Sequence, residues 1–341
     1  MPVTPASAKL ITVFGGSGFL GRHTVSALAR RGYRIRVAVR RPDLAGHLQP
    51  LGTVGQIRAI QANVRYPESV KRAVAGADAV VNLVGILTES GRQRFDAVQA
   101  FGPQAIAEAV HAEGAGAVVH VSAIGADETS DIGYARSKGL GEAAVLEACP
   151  EAVIFRPSIM FGPEDNFFNR FASMARFSPF LPLIGGGTML FQPVYVADVA
   201  EAIARAIDGD ARPGTVYELG GPEVVTFRRC LELMLETIGR RRALVPVPWP
   251  LAKAMGAVLG ILPKPLLTYD QVRQLERANV VSEAAEREGR TLEGLGIDPT
   301  LMELILPTYL VRFRERGQFT MPGKPRGGPE AMPPSGSGRE M

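Results

Sequence analysis

Two groups of residues have the types and spacing to do chemistry. The first is Gly15-Gly16-Ser17-Gly18-Phe19-Leu20-Gly21, which satisfies both Gly-x-x-Gly-x-x-Gly and Gly-x-Gly-x-x-Gly. In that pattern glycines allow a tight turn, close approach of backbone to a diphosphate, and close helix–strand packing. A helix beginning near Gly18 aims its free amides and positive dipole end at the phosphates. A glycine-rich turn without a ligand is the alternative reading. About 20 residues on, a dinucleotide site normally carries an acid for the ribose hydroxyls. Here the sequence is Val37-Ala38-Val39-Arg40-Arg41-Pro42, with no acid before Asp43. A guanidinium at Arg40 suits a ribose 2′-phosphate, which favours NADPH, with NADH as the alternative. Arg40 stacked on the adenine or simply solvated stays open.

The second group is Ser122, Tyr134 and Lys138. Tyrosine and a lysine at i+4 share one helix face. An ammonium beside a phenol stabilises phenolate and is expected to lower the tyrosine pKa. Such a tyrosine exchanges a proton with a substrate oxygen while hydride moves at a nicotinamide. Ser122 would hold that oxygen and Lys138 would also reach the ribose. Tyr-x-x-x-Lys is common by chance, so a purely structural pair is the competing reading.

The elements that must position these groups are legible in the apolar patterning. Short β-branched runs at Leu10–Phe14, Ile35–Val39, Ile57–Ile60, Ala79–Leu83 and Ala117–Val121 alternate with helix-length stretches. That order predicts buried parallel strands in βαβ units. Gly32 and Gly76 close helices, Pro67 opens one, and Pro103 begins another that ends near Gly114. The expected fold is α/β: a Rossmann doubly wound parallel sheet with a smaller, mostly helical C-terminal lobe. Residues 1–160 form the dinucleotide-binding domain, residues 161–321 the lobe, with segments that return to the first domain, and residues 322–341 a Pro/Gly/Ser-rich disordered tail. In the lobe, helices are expected at 196–207, 227–238, 251–262, 269–279 and 300–316, with a strand at 215–219.

Composition narrows the function classes. The 341 residues are 46% hydrophobic and carry a formal charge of +4 from 38 basic and 34 acidic side chains. That balance is too mild to argue for nucleic acid, though it suits an anionic cofactor or membrane surface. Two cysteines, Cys149 and Cys230, are too few for a disulfide framework and fit a reducing compartment. No His/Cys cluster has metal-ligand spacing. No signal or transit segment and no membrane-spanning run is expected, so the chain reads as cytoplasmic, or peripheral on the inner face of the plasma membrane.

The motifs resemble the extended and atypical short-chain dehydrogenase/reductases. Asn63-Val64 falls where that family contacts adenine, with Asn in place of the commoner Asp. Asn82-Leu83-Val84-Gly85 ends the fourth strand, Val121-Ser122-Ala123 the fifth, and Tyr134-Ala-Arg-Ser-Lys138 matches Tyr-x-x-x-Lys. Arg156-Pro157-Ser158 and Phe161-Gly162-Pro163 match the segment after the sixth strand. The resemblance implies cofactor contacts from Gly15, Ser17, Gly18, Phe19, Leu20, Gly21, Arg40, Asn63, Val64, Leu83, Val84, Gly85, Lys138 and Pro157. It implies catalytic roles for Ser122, Tyr134 and Lys138. A narrower likeness covers nearly the whole chain. It is carried by Arg156-Pro-Ser-Ile-Met-Phe-Gly-Pro-Glu-Asp-Asn-Phe-Phe-Asn-Arg-Phe-Ala-Ser-Met174, Gln192-Pro-Val-Tyr-Val-Ala-Asp-Val199 and Leu292-Glu-Gly-Leu-Gly-Ile297. These strings resemble the nucleotide-binding accessory subunits of respiratory complex I. That family implies tightly bound NADPH in a structural or regulatory role, complex I subunits as partners, and a place near membrane and quinone. A related branch acts in ubiquinone biosynthesis. An active NADP-dependent oxidoreductase or epimerase is therefore the alternative.

Other residues divide between packing and function. Leu251–Leu262 reads as a buried helix, with a membrane-interface helix as the alternative. Phe161, Phe167, Phe168, Phe171, Phe177 and Phe180 read as core, with a substrate or quinone pocket as the alternative. Asp198 is expected to cap the helix that follows, His23 to lie at the surface, and both cysteines to be inert fillers.

Overall fold

A computed structural model of the chain describes residues 9–260 and 268–315. The expected tail 322–341, the N-terminal eight residues and the end of the predicted 251–262 helix lie outside them.

Seven parallel strands form the central sheet: β1 (Leu10–Phe14), β2 (Arg34–Val39), β3 (Ile57–Gln61), β4 (Ala79–Asn82), β5 (Ala117–Val121), β6 (Val153–Pro157) and β7 (Val216–Leu219). Their order is β3-β2-β1-β4-β5-β6-β7. The chain leaves β3 at one edge and returns beside β1 as β4. The order reverses at the β1/β4 crevice, where ligands bind outside the carboxyl ends of such strands.

Alternation sorts each strand's side chains between two helical layers. Ile11, Val13, Val37, Val81 and Val119 pack with Val25 and Leu28 of α1 (Phe19–Arg30) and with Val199 and Ile203 of α6 (Val196–Asp208). Phe14, Ala38, Val80 and Val118 face the opposite layer. That layer consists of α2 (Pro67–Val74), α3 (Phe101–Glu113) and α4 (Gly133–Ala148), and supplies Val70, Ile106, Val110 and Val145. Truncating the fully buried Leu28 to alanine should cost about 2–5 kcal/mol.

The lobe has its own core, where Phe161, Phe168, Leu183 and Phe191 meet α7 (Phe227–Ile238) and α10 (Met302–Leu310). Helix α5 (Phe168–Phe177) was not expected. Its buried Phe168, Ala172 and Ala175 do follow helical spacing, but the small alanines give a weak apolar stripe between Gly/Pro-rich flanks. The stretch Ala243–Val247 forms a strand parallel to Phe180–Ile184.

Three expectations are corrected here. Helix α8 (Trp249–Leu259) buries only Ala252 and Gly256, while Leu251 and Val258 are 54% and 68% exposed. Its buried strip is narrow because Gly256 lies against the backbone at Thr268–Tyr269, which leads into α9 (Tyr269–Leu275). Asp198 does not cap α6: the helix starts at Val196, and the Asp198 carboxylate instead accepts from the Thr300 amide (2.8 Å) and hydroxyl (3.0 Å). Phe177 and Phe180 stand out in solvent, whereas Phe161, Phe167, Phe168 and Phe171 pack edge-on or tilted among Phe191 and Phe227.

The chain's last quarter is sewn back onto the sheet. Asn279 Oδ1 accepts from Ser158 Oγ (2.7 Å) and the Ile159 amide (2.9 Å), just beyond β6. Gln192 bonds both Gly221, through Nε2, and the Val281 amide, through Oε1.

Candidate functional site

The glycine turn is built as its spacing required. Gly15 has φ +77°, a left-handed conformation that glycine adopts freely. The Gly18 amide closes the turn on the Gly15 carbonyl at 3.0 Å. A methyl on Gly21 would fall 2.4 Å from the Gly15 carbonyl oxygen and 2.5 Å from the Gly16 carbonyl carbon. Only glycine lets α1 lie against the turn so closely. The helix starts at Phe19 with Gly18 as its N-cap, no side-chain cap, and no acid in the first turn. Its positive end therefore faces outward without an internal partner, with Gly18 exposed and Ser17 and Phe19 partly so. The Phe19 ring packs toward Gly162, linking the turn to the segment after β6.

After β2 the two arginines differ. Arg41 is engaged by Asp43 at 2.7–3.2 Å, a pair that holds the Asp43 carboxyl below its usual range. Arg40 is exposed and has no hydrogen bond or ion pair among the described residues.

The opposite wall is Leu83-Val84-Gly85, at the carboxyl end of β4. A methyl on Gly15 would touch the Leu83 carbonyl carbon at 3.2 Å and the Val84 nitrogen at 3.3 Å. The wall is therefore in contact with the turn. Three polar side chains brace it. Asn82 Oδ1 accepts from the Val84 amide (3.1 Å), Gln99 Oε1 accepts from the Ile86 amide (2.8 Å), and the Lys138 amine lies beside Gly85. Asn63 turns its side chain to its own loop, accepting from the Arg65 amide at 3.2 Å, and Val64 is buried against Gly102.

The hydroxyl and amine groups sit on the same side. Ser122 continues the β5 ladder through its amide to Phe155 (2.7 Å), yet its buried Oγ has no partner among the described residues. An unsatisfied buried hydroxyl costs about 1–3 kcal/mol, so it is a group in want of a ligand atom. Lys138 is 5% exposed and donates to the Val121 carbonyl at 3.1 Å. Burial brings its amine down to about 8, with Glu142 pulling the other way. Tyr134 is half-buried and edge-on to Phe95, and loss of solvent pushes its hydroxyl up to about 12. The expected lowering of the Tyr134 pKa is thus reversed by burial of the phenol. At neutral pH the phenol is a proton donor. Pro157 is buried at the end of β6, its carbonyl accepting from the Ile124 amide at 3.1 Å.

Several contributing residues were not singled out from the sequence. Glu142, 5% exposed, grips Arg156 at 2.6–3.2 Å and locks α4, which carries Tyr134 and Lys138, to β6. Gln99 also donates to Ser137. Asn82 meets His120 on the neighbouring strand. A polar residue inside an otherwise apolar strand, as at Asn82 and His120, was the available signal. His23, expected at the surface, is mostly buried beside Phe19, 3.9 Å from Glu164, and burial lowers its pKa.

The NAD dependent epimerase/dehydratase family model matches residues 11–220. The chain is 36% identical to the Arabidopsis thaliana mitochondrial NADH dehydrogenase [ubiquinone] 1 alpha subcomplex subunit 9, over 91% of this chain and 79% of that one. It is 34% identical to a Caulobacter vibrioides ceramide reductase, over 56% of this chain and 58% of that one. Among solved structures it is similar in fold to the dTDP-glucose 4,6-dehydratase of Streptomyces venezuelae with NAD and TYD bound. There the TM-score is 0.66 at 22% identity, over 89% of this chain and 96% of that one.

Proposed function

From the premise that this chain belongs to the NAD dependent epimerase/dehydratase family and binds a nicotinamide dinucleotide, we propose that it is an NADPH-holding accessory subunit of a membrane NADH:quinone oxidoreductase. Its cofactor serves structure or regulation more than turnover. One observation carries the reading. Likeness to the Arabidopsis subunit spans 91% of the chain, and so runs on into the part of the lobe beyond residue 220 that the family model leaves out.

The residues fit the cofactor. The turn 15–21 and the bare start of α1 would hold the diphosphate, with free Arg40 at the 2′-phosphate. Asn63 and Val64 would border the adenine, and Leu83, Val84, Gly85, Pro157 and Lys138 the nicotinamide half. Bound NADPH supplies a hydride donor; the protein supplies position. Lys138 donates to the Val121 carbonyl and, as an ammonium with three donors, would keep others for the ribose hydroxyls. No helix among the described residues is long and apolar enough to cross a membrane. The proposed location is therefore peripheral, on the inner face of the plasma membrane, beside complex I subunits and near its quinone.

A second reading, an active NADP-dependent reductase on an apolar carbonyl compound or quinone precursor, is favoured by the partnerless Ser122 hydroxyl and the relation to a ceramide reductase. Native purification from membranes with mass spectrometry separates the two. The first predicts NADPH together with subunits of the membrane complex. Recovery solely as a free protein that consumes NADPH on adding a carbonyl substrate supports the second. Protein that holds no dinucleotide, with Gly18→Asp indistinguishable from the parent toward NADPH, overturns both.

A further inference from the structure

On that reading of the chain as a dinucleotide holder, we propose that His120 is a positioning residue of the cofactor site, acting as a neutral, Nε2-protonated imidazole that orients Asn82 and through it the Leu83–Val84 peptide.

Asn82 and His120 are paired neighbours at the ends of β4 and β5. Both are almost wholly enclosed, at 2% and 1% exposure. The Val84 amide donates to Asn82 Oδ1 at 3.1 Å, which fixes the orientation of the Asn82 side-chain amide. Its Nδ2 then faces His120 Nδ1 at 3.1 Å, and an amide nitrogen can only donate. Nδ1 must be the acceptor, so the ring proton sits on Nε2. Burial, and next the charge of nearby Lys138, hold the ring neutral, with a pKa of about 3.

Orientation passes from this pair to the cofactor side. The Leu83–Val84 peptide is held by Asn82 and lies close to Gly15, where an added methyl would meet it at 3.2–3.3 Å. A rotation of Asn82 would therefore move the wall that faces the glycine turn.

Stability alone does not call for histidine here. The Nε2–H has no partner among the described residues. A leucine would remove that orphan while leaving the Asn82 Nδ2 group unpaired. The number of unsatisfied polar groups stays the same, so little folding stability should change.

The test compares full-length wild type, His120→Leu and His120→Gln. Each is assayed for Kd of NADPH, emission of the bound nicotinamide, and Tm without cofactor. The expected result is an unchanged Tm for His120→Leu with affinity lowered about tenfold, the scale of one lost orienting hydrogen bond, and a shifted emission. His120→Gln, which restores an acceptor, should recover most of the affinity. Equal affinity in His120→Leu and wild type would overturn the proposal while leaving dinucleotide binding intact. Wild type that does not bind NADPH would instead overturn the reading on which it rests. If His120→Leu does not fold, 15N-histidine spectra of the wild type decide. With four histidines in the chain, and the His120 signal identified by its loss in His120→Gln, an Nε2–H tautomer supports the assignment and an Nδ1–H tautomer defeats it.

Discussion

The two ends of the proposed dinucleotide site are made of different material. The phosphate end is mainly backbone: glycines 15, 16, 18 and 21 and the bare start of α1, with Arg22 and His23 beside Glu164 one turn on and the exposed Arg40 after β2. The nicotinamide end is buried side chains, with Asn82, Gln99, His120, Ser122 and Lys138 all under 6% exposed. At the first end the tight point is Gly21, where a methyl would meet backbone. The second contains two titratable groups, His120 and Lys138, whose protonation is set by burial. Damage to the two ends should therefore look different.

The largest effect is expected at the backbone end. In Gly21→Ala the new methyl meets backbone at 2.4 Å, which nothing flexible can relieve. Overpacking of this kind costs about 1–3 kcal/mol, and α1 must lift from the turn. Titration with NADPH should show affinity reduced by about a hundredfold or more. Near-normal binding would mean that the turn is softer than its geometry.

Next comes a pH effect confined to the side-chain end. Lys138 falls from its ordinary 10.5 to about 8. Between those values the unfolded chain binds a proton that the folded chain does not, so stability rises with pH across that window. Urea unfolding of wild type and Lys138→Met should show the wild type gaining up to about 3 kcal/mol relative to the variant between pH 8 and 10.5. Tyr134 works in the opposite sense above pH 10, but it is present in both proteins. Parallel curves would show that the amine is not desolvated.

A smaller effect concerns nucleotide choice. Arg40→Ala should weaken NADPH about tenfold or more and leave NADH nearly unchanged, as for a charge-assisted bond of about 1.5–3 kcal/mol. Arg41→Ala should do much less, because Arg41 is already taken by Asp43. Equal loss of both nucleotides in Arg40→Ala would reassign that side chain to the adenine. The least change in binding is expected from Tyr134→Phe, within about twofold, since the hydroxyl makes no hydrogen bond among the described residues and its removal leaves no partner orphaned. In the same variant, loss of any carbonyl-dependent NADPH oxidation would favour the enzyme reading. Unaltered oxidation would remove Tyr134 from that chemistry.

The same division explains what could be read from the residues alone. Glycine spacing and β-branched runs are local signals. The strands Leu10–Phe14 and Ala117–Val121 were found at their observed limits, and Thr226 opens α7 where expected. Ser122, Tyr134 and Lys138 were legible as types. The ionisation of Tyr134 and Lys138 was not, because it depends on how deeply the fold buries them, a matter of tertiary packing. The Asp198 error has the same origin. An acid near a helix start reads as a cap, and only the fold reveals Thr300 about a hundred residues later as its partner. For α8, apolar composition was taken as burial, yet a helix resting on two small residues leaves its other sides in water.

The seam at Asn279 and Gln192 has a consequence for where this protein can be cut. Sequence similarity to the broad family stops at residue 220, but the carboxamide that secures the exit from β6 comes from residue 279. A fragment ending at 220 would retain every glycine of the turn and still lack the clasp over its own last strands. The dinucleotide-binding portion is thus a recognisable stretch of sequence without being a severable piece of protein.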